Sequence, residues 1–487
     1  MLYKILLFFC LYLPFQLALN PAEGIDLASG RAVILFLFLF WAVWGLKNKK
    51  IIIAPRIQTL LIISFLFLSA FSLMVSQNLE WSLRKLFFLF SIFPLYFIIS
   101  GIEFSSGKIK KIIQCLVWGA GLAGLLGIFQ FLIQFFFGIK KTFEFWAAVI
   151  TPFLGDAFAQ AVLENPSWLV NIGGQNFLRA TAFFPDPHMF SFYLNMAFFL
   201  ALGLYLMKIK NRKLYLFLAG IILLADMLTF SRGGYIGLLA GIIFSAWLFR
   251  KKLWMDYKKA LKLKCHSGKF WSKSGKIYPE STRQKSESIN FCKKPAIILA
   301  IVILLGLIIA IPNPIGKRLI SSFDLNEGSN QGRIETWKNS IEVVKNNPVL
   351  GVGLGGYSLE IKPSANYREP IYSHNIYLDI AAETGILNSL IWAGIILAAV
   401  SSFLKKRKNA DDLKYIYIAM AAGLTSFSVH SFFETALFSA RVLPLVIILV
   451  ALSASDCKNK VYLRSSPFGK GGECEQAQHL RDLKSVE

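Results

Sequence analysis

The sequence predicts an all-α fold, a polytopic transmembrane helix bundle of about 12 spans with large extracytoplasmic loops, and three observations carry that prediction. Of 487 residues, 55% are hydrophobic and only 16% are charged, a balance foreign to soluble domains of this size. Apolar runs of about 17 to 25 residues, long enough to cross the hydrocarbon core, recur along the whole chain. Basic residues collect in alternate connections between those runs, as they do on the cytoplasmic side of inserted helical proteins.

The expected spans are Leu2–Leu19, Ala32–Leu46, Ile57–Val75, Leu86–Ile102, Ile112–Phe137, His188–Met207, Leu214–Phe230, Gly234–Phe249, Pro295–Ile311, Asn375–Leu404, Leu413–Phe432 and Leu437–Ala454. The first carries only Lys4 near its start and no small-residue cleavage site follows it, so it reads as an uncleaved helix with Pro14, Asn20 and Pro21 at its exit. With the N-terminus inside, the inside connections hold Lys47, Lys49, Lys50 and Arg56, then Lys108, Lys110 and Lys111, then Lys208, Lys210, Arg212 and Lys213, then Lys405 to Lys408. Both termini are then cytoplasmic. The formal charge of +24 belongs to these connections and not to a nucleic-acid surface, so no nucleic-acid partner is expected.

The chain thus divides into N-terminal membrane helices (1–137), a first extracytoplasmic loop (138–187), further membrane helices (188–249) and a basic cytoplasmic loop (250–294). A single membrane helix (295–311), a large extracytoplasmic loop (312–374), C-terminal membrane helices (375–454) and a cytoplasmic tail (455–487) follow. Lys269 to Asn290 and the tail are polar and should be poorly ordered. The cysteines, Cys10, Cys115, Cys265, Cys292, Cys457 and Cys474, fall in spans or inside, which argues against structural disulfides and zinc.

Both extracytoplasmic loops are too long for simple connectors and are the expected seat of function. In the first, Phe143 to Val162 is interrupted by Pro152, Gly155 and Asp156 and should lie in the membrane interface without crossing. In the second, Ile334, Trp337, Ile341 and Val344 recur at helical spacing, which predicts an amphipathic helix stopped by Pro348. The following Gly351-Val352-Gly353-Leu354-Gly355-Gly356-Tyr357 matches a dinucleotide fingerprint in form only, because no buried strand precedes it. A turn offering N–H groups to an anion and a plain loop are equally good readings of it.

Ser231-Arg232-Gly233-Gly234 makes a tight turn between two spans. Burying an arginine at the bilayer centre costs about 2.5 to 3.5 kcal/mol, so Arg232 belongs at the outer interface or in a wet cavity, as an anchor or as a ligand for an anion. His374 stands at the mouth of the longest span, where a neutral imidazole is either a structural group or a base. Arg179 and the Pro185-Asp186-Pro187-His188 turn occupy the corresponding end of the first loop, and His430, Glu434 and Arg441 surround the last outside turn. Only Asp226 lies clearly deep in a span, which disfavours a transporter or lipid flippase with ionisable groups near midplane. The external carboxylates show no metal-ligand spacing, so neither a divalent metal nor another cofactor is expected.

At these residues the sequence resembles the O-antigen ligase and polymerase family of bacterial envelope glycosyltransferases. The likeness rests on Thr229-Phe230-Ser231-Arg232-Gly233-Gly234, on Gly332-Arg333 to Trp337 running into Asn347-Pro348-Val349-Leu350-Gly351-Val352-Gly353, and on Ser373-His374-Asn375-Ile376-Tyr377-Leu378 with Glu383-Thr384-Gly385. The resemblance implies a GT-C-like bundle that moves a glycan from undecaprenyl diphosphate to an acceptor hydroxyl, such as one on lipid A core, outside the inner membrane. It implies that Arg232 and Arg333 hold the diphosphate, with Arg179 a less securely assigned third, and that His374 activates the acceptor. A polymerase that extends the glycan on its own carrier is the close alternative, and a transporter the more distant one. Arginine suits the implied chemistry because its planar fork engages phosphate oxygens in pairs and keeps its proton.

Overall fold

The computed structural model describes residues 2–266, 316, 318, 328–455 and 461–463, apart from positions 23, 24, 50, 55, 103, 165, 208, 368, 369, 411 and 412. Its helices run in chain order as α1 Leu2–Tyr12, α2 Ser29–Lys47, α3 Ile57–Phe71, α4 Leu79–Ile92, α5 Pro94–Ser100, α6 Ser106–Phe137, α7 Ile139–Leu154, α8 Asp156–Glu164, α9 Pro187–Leu206, α10 Arg212–Met227 and α11 Arg232–His266. Then come α12 Gly328–Asn346, α13 Tyr357–Ile361, α14 Ile376–Thr384, α15 Ile386–Lys406, α16 Lys414–His430 and α17 Val442–Ala454. Long apolar segments adopt helix because lipid offers no partner to a backbone N–H or carbonyl, and a helix satisfies them internally.

Two helices form the centre of the bundle. Every residue of α17 is buried, and α9 is buried on nearly all sides, packed by α6, α10, α11 and α16. The outer helices turn Phe36, Leu39, Phe67, Phe136 and Leu397 outward, where lipid replaces a protein neighbour. Close approach depends on small residues: a Cβ on Gly237 would sit 2.7 Å from the Ser426 carbonyl oxygen, so α11 meets α16 almost backbone to backbone.

Among the described residues seven helices are long and apolar enough to cross a membrane, and 2–15 and 442–454 are shorter apolar ones. Each expected span falls on a helix except Pro295–Ile311, which lies outside the described residues along with Lys269 to Asn290. Several spans are shorter or broken where continuous ones were expected. Leu86–Ile102 is interrupted between α4 and α5, where Pro94 opens a new helix. Asn375–Leu404 is split at Gly385, whose φ of +91° is open to glycine and strained for other residues. The helical part of Leu437–Ala454 begins only at Val442.

Among the described residues three small antiparallel pairs, absent from the sequence reading, trim the bundle: β1 Ala18–Ala22 with β2 Ile25–Ala28, β3 Ile51–Ile53 with β6 Val461–Leu463, and β4 Leu169–Ile172 with β5 Gln175–Leu178. The last is a hairpin closed by Gly173 and Gly174, both at positive φ, the turn chemistry of a two-residue loop. Beside it, Trp146, Ile150 and Leu154 of α7 share one face and pack on Trp168, Leu178 and Phe183 as a separate apolar cluster. The segment 143–162 thus folds as two helices broken at Gly155, and neither belongs to the spanning-length helices.

The glycine-rich stretch 351–356 is a packed clamp. Its residues are buried, and four of its N–H groups donate to protein, among them Val352 to the Ala382 carbonyl at 2.8 Å and Leu354 to Ser72 Oγ at 3.2 Å. That accounts for the loop without an anion.

Lys85 of α4 and Glu383 of α14 form a buried ion pair at 2.6 Å, a second charged site inside the bundle that the sequence did not disclose. Removing one member strands the other in low dielectric, which costs about 3 to 5 kcal/mol. Glu383→Ala and Lys85→Ala should each lower the unfolding transition of the detergent-solubilised protein, and the Lys85→Met/Glu383→Leu double variant should lose less than the two single losses combined.

Candidate active site

One end of the bundle gathers the N-termini of α9 and α11, the C-terminus of α16 and the segments before α14 and α17. Each is set by local chemistry. Asp186 caps α9 by accepting from the N–H groups of His188 at 2.7 Å and Met189 at 2.9 Å, with Pro187 at the first helical position. The α10–α11 turn is tied by Thr229 Oγ1 donating to the Asp226 carbonyl at 2.6 Å and by Ser231 Oγ accepting from the Gly234 N–H at 3.2 Å. Asn375 caps α14 by accepting from the Tyr377 and Leu378 N–H groups.

Three non-glycine residues with left-handed backbone flank the site: Ala182 at φ +48°, Phe230 at +49° and His374 at +53°. Such conformations cost about 1 to 3 kcal/mol each and persist where surrounding contacts impose them. They aim the side chains on either side of Arg232 and of His374.

The carboxylate of Glu434 is the hub. His374 Nδ1 lies 2.8 Å from Glu434 Oε1, while Arg333 stands 3.7 Å and His188 Nε2 4.0 Å from Glu434 Oε2. His188 Nδ1 meets Ser231 Oγ at 2.9 Å, and Ser231 Oγ reaches His430 Nε2 at 3.4 Å. The imidazole of His430 is stacked on Phe192 with ring centres 3.5 Å apart. Behind His374, Asp379 accepts from the Ser373 N–H at 2.7 Å and from the Thr435 hydroxyl.

Around this hub the positive charge is dense. Arg232 is buried at the first turn of α11, and the charges of Arg318, Arg333 and Arg179 all act on it. Arg179 is 3% exposed, with Nε donating to the Thr229 carbonyl at 2.7 Å and one terminal nitrogen to the Ser167 carbonyl at 2.9 Å. Its other terminal nitrogen has no hydrogen-bond partner among the described residues. Burial first, and Arg318 second, disfavour the charged form of Arg179. Arg179 thus holds the α10–α11 turn and adds charge behind Arg232.

Burial alone would raise the Glu434 carboxyl, but His374, His188 and Arg333 outweigh it and hold the group well below the usual carboxylate range. The same pair raises His374, chiefly through the Glu434 charge and against the opposing effect of burial. Asp186 goes the other way, pushed up to about 6 by burial and then by the negative charge of Glu434.

Arg333 and His374, singled out from distant parts of the sequence, therefore meet at the Glu434 carboxylate, and Arg232 lies within electrostatic reach of Arg333 and Arg179. Glu434, His188 and His430 belong to the same cluster; sequence reading placed them near outside turns but did not assign Glu434 as the partner of His374. No spacing in the chain carries a pairing between positions 374 and 434. Arg318, one charge among many in its loop, was not singled out. Among the described residues no group of three or more His, Cys, Asp and Glu side chains is arranged to hold a metal ion.

A bundle with spans of this length, carrying a cluster of arginines at one end, is that of a multi-pass membrane protein. Residues 214–393 match the family described as O-Antigen ligase. The match includes Arg232, Arg333 and His374. No curated protein matches the chain.

The folded-state shifts set a pH window for the ion pair. His374, raised, contributes stability that is complete below its ordinary value of 6.5 and is lost as pH rises through its folded value. Glu434, lowered, contributes stability that is complete above its ordinary value of 4.5 and is lost as pH falls. The melting-temperature gap between wild type and Glu434→Gln should therefore be widest between pH 4.5 and 6.5 and narrow as pH climbs beyond that range; a gap that widens there instead would contradict the pairing.

Proposed function

We propose that this protein is an O-antigen ligase-like glycosyltransferase that moves a glycan from undecaprenyl diphosphate to an acceptor hydroxyl, on lipid A core or a comparable glycolipid, at the outer face of the bacterial inner membrane. The observation that carries the reading is the convergence of Arg232, Arg333 and the His374–Glu434 pair at one end of the bundle, together with the family match over the same residues. In this reading the chain crosses the membrane about 12 times with both termini in the cytoplasm, and the pocket opens outward.

The acceptor oxygen attacks the anomeric carbon as the bond to the diphosphate oxygen breaks, and the electron pair leaves on that oxygen. Arg232 and Arg333 hold the diphosphate, and fixed guanidinium groups stabilise the charge that builds there. Arg179 and Arg318 add to the positive field. The acceptor proton passes to Nε2 of His374, because Nδ1 is committed to Glu434. Glu434 orients the ring and stabilises the imidazolium that forms, the role of a buried carboxylate behind a histidine base. Attack opposite the leaving group inverts the anomeric centre.

Arg232→Ala and Arg333→Ala should abolish transfer from a polyprenyl diphosphate donor while the protein still inserts, and Arg333→Lys should stay impaired by about tenfold or more because an ammonium cannot engage two oxygens at once. Full activity in the lysine variant would rule out paired phosphate contacts. Transfer should fall on the acidic side with a midpoint above 6.5, and Glu434→Gln should move that limb to lower pH; an unmoved limb would take His374 out of the base role. A strain lacking the gene separates the two family activities on a gel of envelope glycans: long carrier-linked chains that stay unattached mark a ligase, and single capped units mark a polymerase.

A further inference from the structure

A second cavity of about 480 Å³ adjoins the pocket without sharing its arginines or histidines. It lies between the start of α2, the first turns of α4, the α7–α8 break and the segments before α14 and α17. Pro185, Tyr372 and Phe438 line it, and each is only a few residues from a member of the active site: Asp186, His374 and Glu434. Its size is that of a small-ligand site.

Among the described residues four cations line this cavity, Arg31, Arg84, Lys85 and Arg441, and no carboxylate does. Two of them are neutralised from behind, Arg84 by Glu80 at 2.7 Å and Lys85 by Glu383 at 2.6 Å. The other two have no carboxylate partner among the described residues. Arg31 donates to Ser91 Oγ at 2.7 Å and lies over the ring of Phe88. Arg441, 5% exposed, donates through one terminal nitrogen to the carbonyls of Gln16 and Phe153, and its Nε has no hydrogen-bond partner. Burying two such charges costs free energy unless an anion completes them. The remaining wall is aromatic, with Trp81, Tyr367 and Phe438 among its faces, surfaces suited to sugar rings and acyl chains.

We propose that this cavity binds the acceptor as a phosphorylated glycolipid, its phosphate held by Arg31 and Arg441 and its saccharide laid against the aromatic wall. The inference rests on the transferase reading above: a two-substrate reaction needs a second site beside the diphosphate pocket, and this one opens next to His374. The shared chemistry covers two acceptors, a phosphorylated lipid A-type disaccharide, as in ligation, and a second polyprenyl diphosphate, as in polymerisation.

The test is ligand binding to the full-length protein in nanodiscs, with bis-phosphorylated lipid A and undecaprenyl diphosphate titrated separately. Arg31→Gln and Arg441→Gln should each weaken lipid A binding by about tenfold or more, and leave undecaprenyl diphosphate bound at the diphosphate pocket. If lipid A does not bind and the two variants instead reduce undecaprenyl diphosphate from two equivalents to one, the site is equally supported, with a polymerase-type acceptor. Dephosphorylated lipid A binding wild type as tightly as the phosphorylated form would overturn the proposal without any variant. So would wild-type affinity for both probes in both variants, or loss of all undecaprenyl diphosphate binding in either, which would merge the cavity with the donor site. Arg333→Gln separates the two readings, since undiminished donor binding there counts against the diphosphate pocket and not against this cavity.

Discussion

A buried carboxylate surrounded by cations sets the terms for this end of the molecule. Glu434 is drawn from the short connection between α16 and α17 into a setting of low dielectric, where an isolated charge costs several kcal/mol. It is stable there because His374 contacts it directly and Arg333 and His188 stand at the limit of ion-pair distance. The dependence runs both ways. Without the carboxylate, His374 would lose the charge that favours its protonated form, and Arg333 would face Arg232 and Arg318 with less to offset their repulsion. The acidic groups Glu434 and Asp186 among four arginines leave an excess of positive charge, which suits the anionic donor proposed above.

The scaffold converts that electrostatic requirement into geometry. Helices in lipid supply rigid rods but place side chains only to within the tolerance of their packing, so the site residues sit at helix ends where caps and turns fix the direction of the chain. Asp186, Ser231 and Asn375 each hold a first turn, and the left-handed residues beside them redirect the backbone between rods. Glycine at 237 lets α11 come close enough to α16 for Ser231 to reach His430. Arg179 does similar work from a loop, bonding to the carbonyls of Ser167 and Thr229 so that the first long loop and the α10–α11 turn move as one. Its part in anion binding is through charge placed behind Arg232.

Two adjoining cavities of different character follow from the same arrangement. The proposed donor site is built of groups that answer one another across it, arginines, histidines and the carboxylates of Glu434 and Asp186. Its neighbour is apolar with charges at intervals, two already satisfied by Glu80 and Glu383 and two satisfied only by a serine hydroxyl or backbone carbonyls. Pocket walls built this way discriminate by what they leave unpaired, since a ligand gains most where it completes a group the protein has already desolvated. The ion pair of Lys85 and Glu383 lies at the edge of both, packed under the rings of Tyr372 and Phe438, and couples the glycine-rich clamp to the segment that carries His374.

Composition and spacing by themselves determined that this chain is a helical membrane bundle, because lipid imposes one solution on apolar runs of such length. They also marked Arg232 and His374, since charged groups beside spans are costly and stand out against an apolar background, whereas Arg333 was singled out by the family resemblance of its motif. Whether each span is continuous was not legible: Gly385 and Pro94 break helices that hydropathy alone runs together, because a window of averaged apolarity is blind to one residue's φ. Nor was the partner of His374, which lies sixty positions away in sequence, or the pairing of Lys85 with Glu383 across nearly three hundred. Only tertiary packing decided those, for the attraction between two charges depends on their separation in space and on the dielectric around them, and neither quantity is written in the order of residues.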